Sequence, residues 1–180
     1  MPRWLDDAER IDVAVYAAVA RTPTPVLDPW MRRLASAADL SRLNLLGAAV
    51  LALAGGRPGR RAARLGVASV ATTSLVVNAA VKPVARRRRP DRAVHEVPGA
   101  RHVAMPASRS LPSGHSASAF AFATAVGYVM PRGAAPFRLL AAVVGYSRVH
   151  TGVHYPGDVL AGALLGTTVA QATVRALGDS

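Results

Sequence analysis

Three short strings in this chain hold residue types able to do chemistry: Lys82-x6-Arg89-Pro90, Pro112-Ser113-Gly114-His115 and Ser147-Arg148-x5-His154-x3-Asp158. Lys82, Arg89 and Arg148 supply three cations. Arginine offers planar paired donors that match phosphate oxygens, and lysine a compact point charge. Gly114 lets the backbone approach a ligand closely, and the first turn of a helix presents unpaired N–H groups to an anion. Ser113 adds a hydroxyl donor. Such a set fits a tetrahedral oxyanion, and stabilising charge on phosphoryl oxygens is what phosphoryl transfer requires. Two histidines can divide the remaining work. One attacks phosphorus; the other protonates the leaving oxygen and then activates water. A carboxylate beside a histidine can hold Nδ1–H and leave Nε2 free. Asp158 stands close to His154, which assigns His154 as nucleophile and His115 as general acid/base. No cluster of acidic residues suits a divalent metal, so the expected hydrolysis is metal-independent and needs no cofactor.

Taken singly, each string has a plainer reading. Arg86–Arg89 can anchor a helix to anionic lipid, Ser113 can cap a helix, and Asp158 can do the same. The elements around them decide between these readings. Residues 65–81 and 159–174 carry no charge, and residues 110–131 contain no Asp, Glu, Lys or Arg. Two shorter runs, 43–54 and 139–147, are also uncharged. A membrane-spanning helix needs roughly 20 mostly apolar residues. Small residues such as Ala117-Ser118-Ala119 and Gly162-Ala163 favour close helix–helix approach in a bilayer. The expected fold is therefore all-α: a polytopic membrane helical bundle of about five to six transmembrane helices with an amphipathic N-terminal region. Lys82 ends one helix and His115 begins the next. The helix 114–130 crosses, the turn 131–136 reverses the chain, and the helix to Ser147 returns. Alternation thus brings all three strings to one face.

The N-terminal part reads differently. A first helix is expected over residues 5–20, either crossing the membrane or lying at its surface. Early acids and the lack of a small-residue cleavage site argue against a signal peptide. Pro23, Pro25 and Pro29 break the chain before an amphipathic stretch with Trp30, Met31, Arg32 and Arg33. The organisation is an N-terminal region, 1–40, and a core, 41–180, with a site loop at 83–112. Residues 55–64 are expected as a basic turn. His95 and His102 are expected as solvated loop residues, His150 as a group behind the site or on the surface, and Asn78 in interhelical hydrogen bonding.

Composition narrows the classes. The 180 residues hold 22 basic and 10 acidic side chains, a net charge of +12, yet 51% are hydrophobic. Mean hydropathy is +0.24, which excludes a disordered basic tail. Aromatics are only 5%, too few for a nucleic-acid binder that stacks bases. The absence of cysteine removes disulfides and thiolate chemistry. A soluble helical bundle would leave several helices apolar on every face. A non-catalytic membrane binder of anionic lipids would need neither His154 nor Asp158. Every basic position but Lys82 is arginine.

As a set, the three strings resemble the signature of the type 2 phosphatidic acid phosphatase superfamily, over roughly residues 65–175. The resemblance implies a six-helix membrane core and a phosphohistidine intermediate. It implies His154 as nucleophile with Asp158 as its partner and His115 as acid/base. Lys82, Arg89, Ser113, Gly114 and Arg148 would hold the phosphate. The first two helices of that pattern are short here. Family members act on phosphatidic acid and related lipids, polyprenyl pyrophosphates and sugar phosphates. The string Met105-Pro106-x-Ser108-x-Ser110-x-Pro112 looks most like actinobacterial members, some of them similar to decaprenylphosphoryl-5-phosphoribose phosphatases. Vanadium haloperoxidases share this oxyanion cradle but are soluble, against which the charge-free runs argue. The implied partners are a lipid phosphate and the bilayer, and the implied location is the cell membrane, multi-pass. Arg57, Arg60, Arg61, Arg64, Arg132 and Arg138 lie away from the site, which places the site on the outer face.

Overall fold

Every uncharged run of the sequence lies wholly or for most of its length in a helix of the computed structural model, which describes residues 3–178. Among these residues the secondary structure is wholly helical. In chain order the helices are α1 (Arg3–Arg21), α2 (Asp28–Ala37), α3 (Arg42–Ala54), α4 (Gly56–Leu75), the short α5 (Lys82–Val84), α6 (Gly114–Val129), α7 (Ala135–His150) and α8 (Pro156–Leu177).

Helix α6 is the hub and packs on α4, α7 and α8. Its alanines Ala117, Ala121 and Ala125 are fully buried one turn apart. Opposite them on α8, a Cβ at Gly166 would run into the Ala117 carbonyl oxygen, and one at Gly162 into that of Ser113. Only glycine permits this approach, which holds the first turn of α8 against the first turn of α6. The Ser113 N–H then donates to the Asp158 carbonyl at 2.9 Å. At the other end of the bundle, Phe122 and Phe137 meet edge to face with centroids 5.6 Å apart.

The stretch 55–64 is not the expected turn. Gly55 alone joins α3 to α4, and residues 56–64 form the first turns of α4. Pro58 sits in the first helical turn, where its missing N–H costs nothing, and arginine and alanine are good helix formers. At its far end α4 widens into a π-helical turn, Val76–Val81, and the Lys82 N–H donates to Val77 O. Pro83 explains the change of register. In an α-helix its ring would clash with the carbonyl four residues back.

Residues Gly56–Val84 form a continuous helical segment of 29 residues, long and apolar enough to cross a membrane, as is α8. The pair α2 and Asp39–Ala54, bent by 65°, makes a third candidate if counted as one broken span. At the bend, Leu40 (φ 54°) and Ser41 (φ 57°) adopt left-handed backbone. For non-glycine residues this costs on the order of 1 kcal/mol each.

Helix α1 lies across the site end of the bundle. Asp12, Tyr16 and Ala20, four residues apart, form its inner face. Asp12 accepts from the Gly157 N–H at 2.7 Å, and Tyr16 packs on His95 and Tyr155. Trp4, Ile11 and Val15 are exposed, as is the whole of residues 3–11. The long segment 85–113 is pinned rather than loose. Fully buried Arg101 bonds Asp28 Oδ1 at 2.8 Å and also the carbonyls of Val19 and Thr22.

Candidate active site

The spacing Arg148-x5-His154 is closed by the C-terminus of α7. Thr151 caps the helix and Gly152 follows with φ +71°. The Gly152 N–H bonds Val149 O at 2.9 Å, and the Val153 and His154 N–H groups both reach Arg148 O, at 3.1 and 3.2 Å. This is a Schellman termination, which requires the left-handed glycine. It turns His154 back towards the bundle axis, where it is 1% exposed.

Asp158 opens α8 one turn later as its third residue, not as its N-cap. Its Oδ2 accepts the Tyr155 N–H at 2.9 Å, which satisfies a free donor of the helix start. The same oxygen lies 3.5 Å from His154 Nδ1. Ser110 Oγ lies between them, donating to Asp158 Oδ2 at 2.5 Å and standing 3.4 Å from Nδ1. On the other ring nitrogen, Arg89 NH1 lies 3.0 Å from His154 Nε2. A guanidinium has only donors, so Nε2 is the acceptor and the proton sits on Nδ1. Burial, reinforced by the charges of Arg89 and Arg148, pushes the His154 pKa down to about 4 against the opposing pull of Asp158. The imidazole is therefore neutral at physiological pH, with its lone pair on Nε2.

A cleft of about 200 Å³ joins the pieces. Lys82, Arg89, Gly114, His115 and His154 line its polar end. Its wall continues through Val77, Phe122, Phe137, Leu140 and Val144, between α4, α6 and α7. Ser108 braces the two cations from the long segment. Its hydroxyl meets Lys82 Nζ at 3.0 Å and Arg89 NH2 at 3.2 Å, and its carbonyl accepts from Arg89 Nε at 2.8 Å.

Five of the eight expected residues thus open on one cleft, and the other three stand behind it. Asp158 backs His154. Ser113 is fully buried and its hydroxyl accepts from Ser116 Oγ at 3.0 Å, capping α6. Arg148 is 1% exposed and donates from NH1 to Ala35 O at 3.2 Å, while its Nε is buried and meets no acceptor.

Several residues at the site carried no expectation. Ser108 and Ser110 are two. Arg87 is a third: it bridges Asp158 Oδ1 at 3.2 Å and Asp12 Oδ2 at 2.6 Å and lies over the Tyr155 ring. Within the run Arg86–Arg89 the sequence offers no means to tell it from its neighbours. Asp39, from the bend before α3, lies 2.9 Å from His115 Nε2. Other expectations need correction. His150 touches neither cleft nor surface but is buried against Asp28 Oδ1 at 2.9 Å. Asn78 bonds Ser74 O within its own helix. His95 stacks edge-on against Tyr16 instead of standing in solvent, while His102 is exposed as expected. Among the described residues, no group of three or more His, Asp or Glu side chains is placed to hold a metal.

The chain and its fold are similar to known proteins. The chain is 35% identical over 171 residues to a decaprenylphosphoryl-5-phosphoribose phosphatase of Mycobacterium tuberculosis, covering 90% of this chain and 88% of that protein. The fold matches the crystal structure of LpxE from Aquifex aeolicus with a TM-score of 0.69 at 24% identity, over 91% of this chain and 94% of that one. It also matches a transmembrane PAP2-type phosphatidylglycerolphosphate phosphatase from Bacillus subtilis, with a TM-score of 0.67 at 23% identity over 96% and 87% of the two chains. Residues 63–180 match the family description "PAP2 superfamily", and that stretch contains all three chemical strings. The chain belongs to the PAP2 superfamily.

Proposed function

We propose that this protein is an integral membrane lipid phosphatase that works through a phosphohistidine intermediate without a metal. The observation that carries the reading is the shape of the cleft. Cationic and histidine side chains gather at one end, and an apolar wall between helices continues from it. A phosphate on a lipid needs both.

In the proposed reaction the phosphoryl group docks against Lys82, Arg89 and the N–H groups at Gly114. Arg148 Nε gains in a phosphate oxygen the acceptor it otherwise lacks. Ser113 contributes mainly by fixing the first turn of α6. Nε2 of His154 attacks phosphorus as Arg89 shifts from that nitrogen to a phosphoryl oxygen. The P–O bond breaks, and the leaving oxygen takes a proton from His115. In the second half His115 takes a proton from water, whose oxygen attacks phosphorus and releases His154. Asp158 holds Nδ1–H throughout and stabilises the charge that develops on the ring. Three cations neutralise the phosphate, which is why no metal is required.

The substrate we favour is a polyprenyl-linked phosphate of the decaprenylphosphoryl-5-phosphoribose type, supported by the likeness to the M. tuberculosis phosphatase across most of both chains. Phosphate release from that lipid, a polyprenyl pyrophosphate and phosphatidic acid, each with a chelator present, tests both claims. Fastest release from the pentose lipid, unaffected by chelator, is the expected result. Loss of all activity in chelator would overturn the metal-free reaction, and preference for another lipid would overturn the substrate.

We also infer a multi-pass chain of five to six membrane segments with the site on the outer face. Gly178, just after α8, accepts a hydrogen bond from Arg61 in the first turns of α4, so the end of α8 lies opposite the site, beside the arginines expected in the cytoplasm. A reporter fused after Ser180 should be active only as a cytoplasmic reporter. Activity of a periplasmic reporter would contradict the orientation.

A further inference from the structure

Two histidines line the cleft and each is paired with an aspartate, and the pair on the acid/base side has no counterpart in the three sequence strings. Asp39 Oδ1 lies 2.9 Å from His115 Nε2. The carboxylate comes from the bend between α2 and α3, outside the residues that match the superfamily. Its setting is the opposite of Asp158's: the Asp39 side chain is 52% exposed, and that of Asp158 is wholly buried. The backbone there is unusual as well. The two residues after Asp39 are both left-handed without being glycine. This conformation turns the chain sharply, so that the bend meets the start of α6 and Ala38, Leu40 and Ser41 join the cleft wall beside His115.

The charges around His115 show what the carboxylate does. Burial disfavours a positive ring most, Arg148 from α7 and Lys82 from the end of α4 add to it, and together they pull the pKa down to about 4. Arg89 and neutral His154 line the same cleft. Asp39 is the group that favours the imidazolium by charge and hydrogen bond together. A general acid for an alkyl leaving group has to carry its proton before P–O cleavage.

We infer that Asp39 is a positioning residue for His115: from the strained bend it holds the Nε2–H, orients the ring and leaves Nδ1 to carry the proton that the leaving oxygen takes. This rests on the role of His115 proposed above. As the P–O bond breaks, the bonding pair goes to the leaving oxygen. The Nδ1 proton follows, while Nε2–H stays on the Asp39 carboxylate. When water attacks the phosphohistidine, the proton returns from water to Nδ1.

The test compares two leaving groups in full-length protein. A lipid alkyl phosphate needs the acid; 4-nitrophenyl phosphate leaves with little help. Asp39→Asn is near-isosteric on a half-exposed side chain. It should lower kcat/KM for the lipid roughly 10- to 100-fold and for the aryl ester by no more than about threefold. The basic limb of the lipid pH profile should move to lower pH, because the ring loses its proton more readily. Asp39→Glu should recover part of the loss. Equal loss on both substrates, or no loss on either, with the basic limb unmoved, overturns the inference. His115→Ala separates the two levels. If it too loses only the lipid reaction while Asp39→Asn does not, the Asp39 inference alone fails. If it shows no leaving-group discrimination, the role of His115 fails and takes the Asp39 inference with it.

Discussion

Replacing His154 with alanine is expected to lower kcat/KM by at least about 10⁴-fold and leave lipid binding within a few-fold of wild type. The magnitude follows from its position. His154 Nε2 is held as an acceptor by Arg89 at 3.0 Å and faces the polar end of the cleft. The ring is neutral at the working pH because burial has pushed its pKa down to about 4. Among the described residues no other side chain is prepared in the same way. His115 already engages Asp39 through Nε2, and the Ser110 hydroxyl is turned to Asp158. Binding survives because Lys82, Arg89 and the apolar wall are untouched. Phosphate release and lipid binding measured on one preparation check this. Activity within tenfold of wild type would exclude His154 as nucleophile, and a protein that only binds anionic lipid would be indifferent to the change.

Asp158→Asn should be the next most damaging change, costing roughly 10²- to 10⁴-fold in kcat/KM. Asp158 is surrounded by donors: Arg87 NH1 at 3.2 Å, the Tyr155 N–H at 2.9 Å, the Ser110 hydroxyl and His154 Nδ1. An asparagine offers one acceptor oxygen and brings an NH2 group into this crowd of donors. The imidazole then loses the anion that stabilises it as charge develops in the transition state. The pH profile separates this from a structural effect. The carboxylate raises the His154 pKa against burial, so its removal lowers that pKa further. The acid limb of kcat/KM should therefore move to lower pH even as the maximum falls. A drop in activity with an unmoved acid limb would mean that Asp158 serves only to hold α8.

How much of this was legible in the sequence depends on where each constraint arises. The pairing of Arg148 with His154 is local: a helix end, a glycine and six residues of chain close it, so spacing alone carries it. The shared face of Lys82, His115 and His154 follows from alternating helices and needs only the uncharged runs. The close packing of α8 on α6 is visible as Gly162 and Gly166 four residues apart. The residues without a local signature are placed by long-range contacts. Asp39 meets His115 only because two left-handed residues bend the chain by 65° between α2 and α3. Nothing in the types Asp39-Leu40-Ser41 announces that conformation, since none is glycine. Arg87 is chosen over Arg86 and Arg88 by the position of Asp12 on α1, which local pattern does not encode. His150 and Arg101 read as ordinary polar residues because their partner Asp28 is far away in the chain. The mistaken turn at 55–64 has a simpler cause. Gly-Gly and Pro58 resemble a loop when read alone, but proline in a first turn opens a helix as readily as it breaks one.

In the proposed reaction phosphate passes through His154. The most direct measurement is to mix full-length His115→Ala protein with 4-nitrophenyl phosphate, quench in alkali within one turnover and map the phosphorylated peptide by mass spectrometry. The aryl group leaves without an acid, and the missing His115 slows the attack of water, so the intermediate should accumulate. An alkali-stable, acid-labile phosphate on His154, formed with a burst of one nitrophenol per active site, is the expected result. A nitrophenol burst with the phosphate on another residue, or steady release with no protein-bound phosphate at any time, would contradict it.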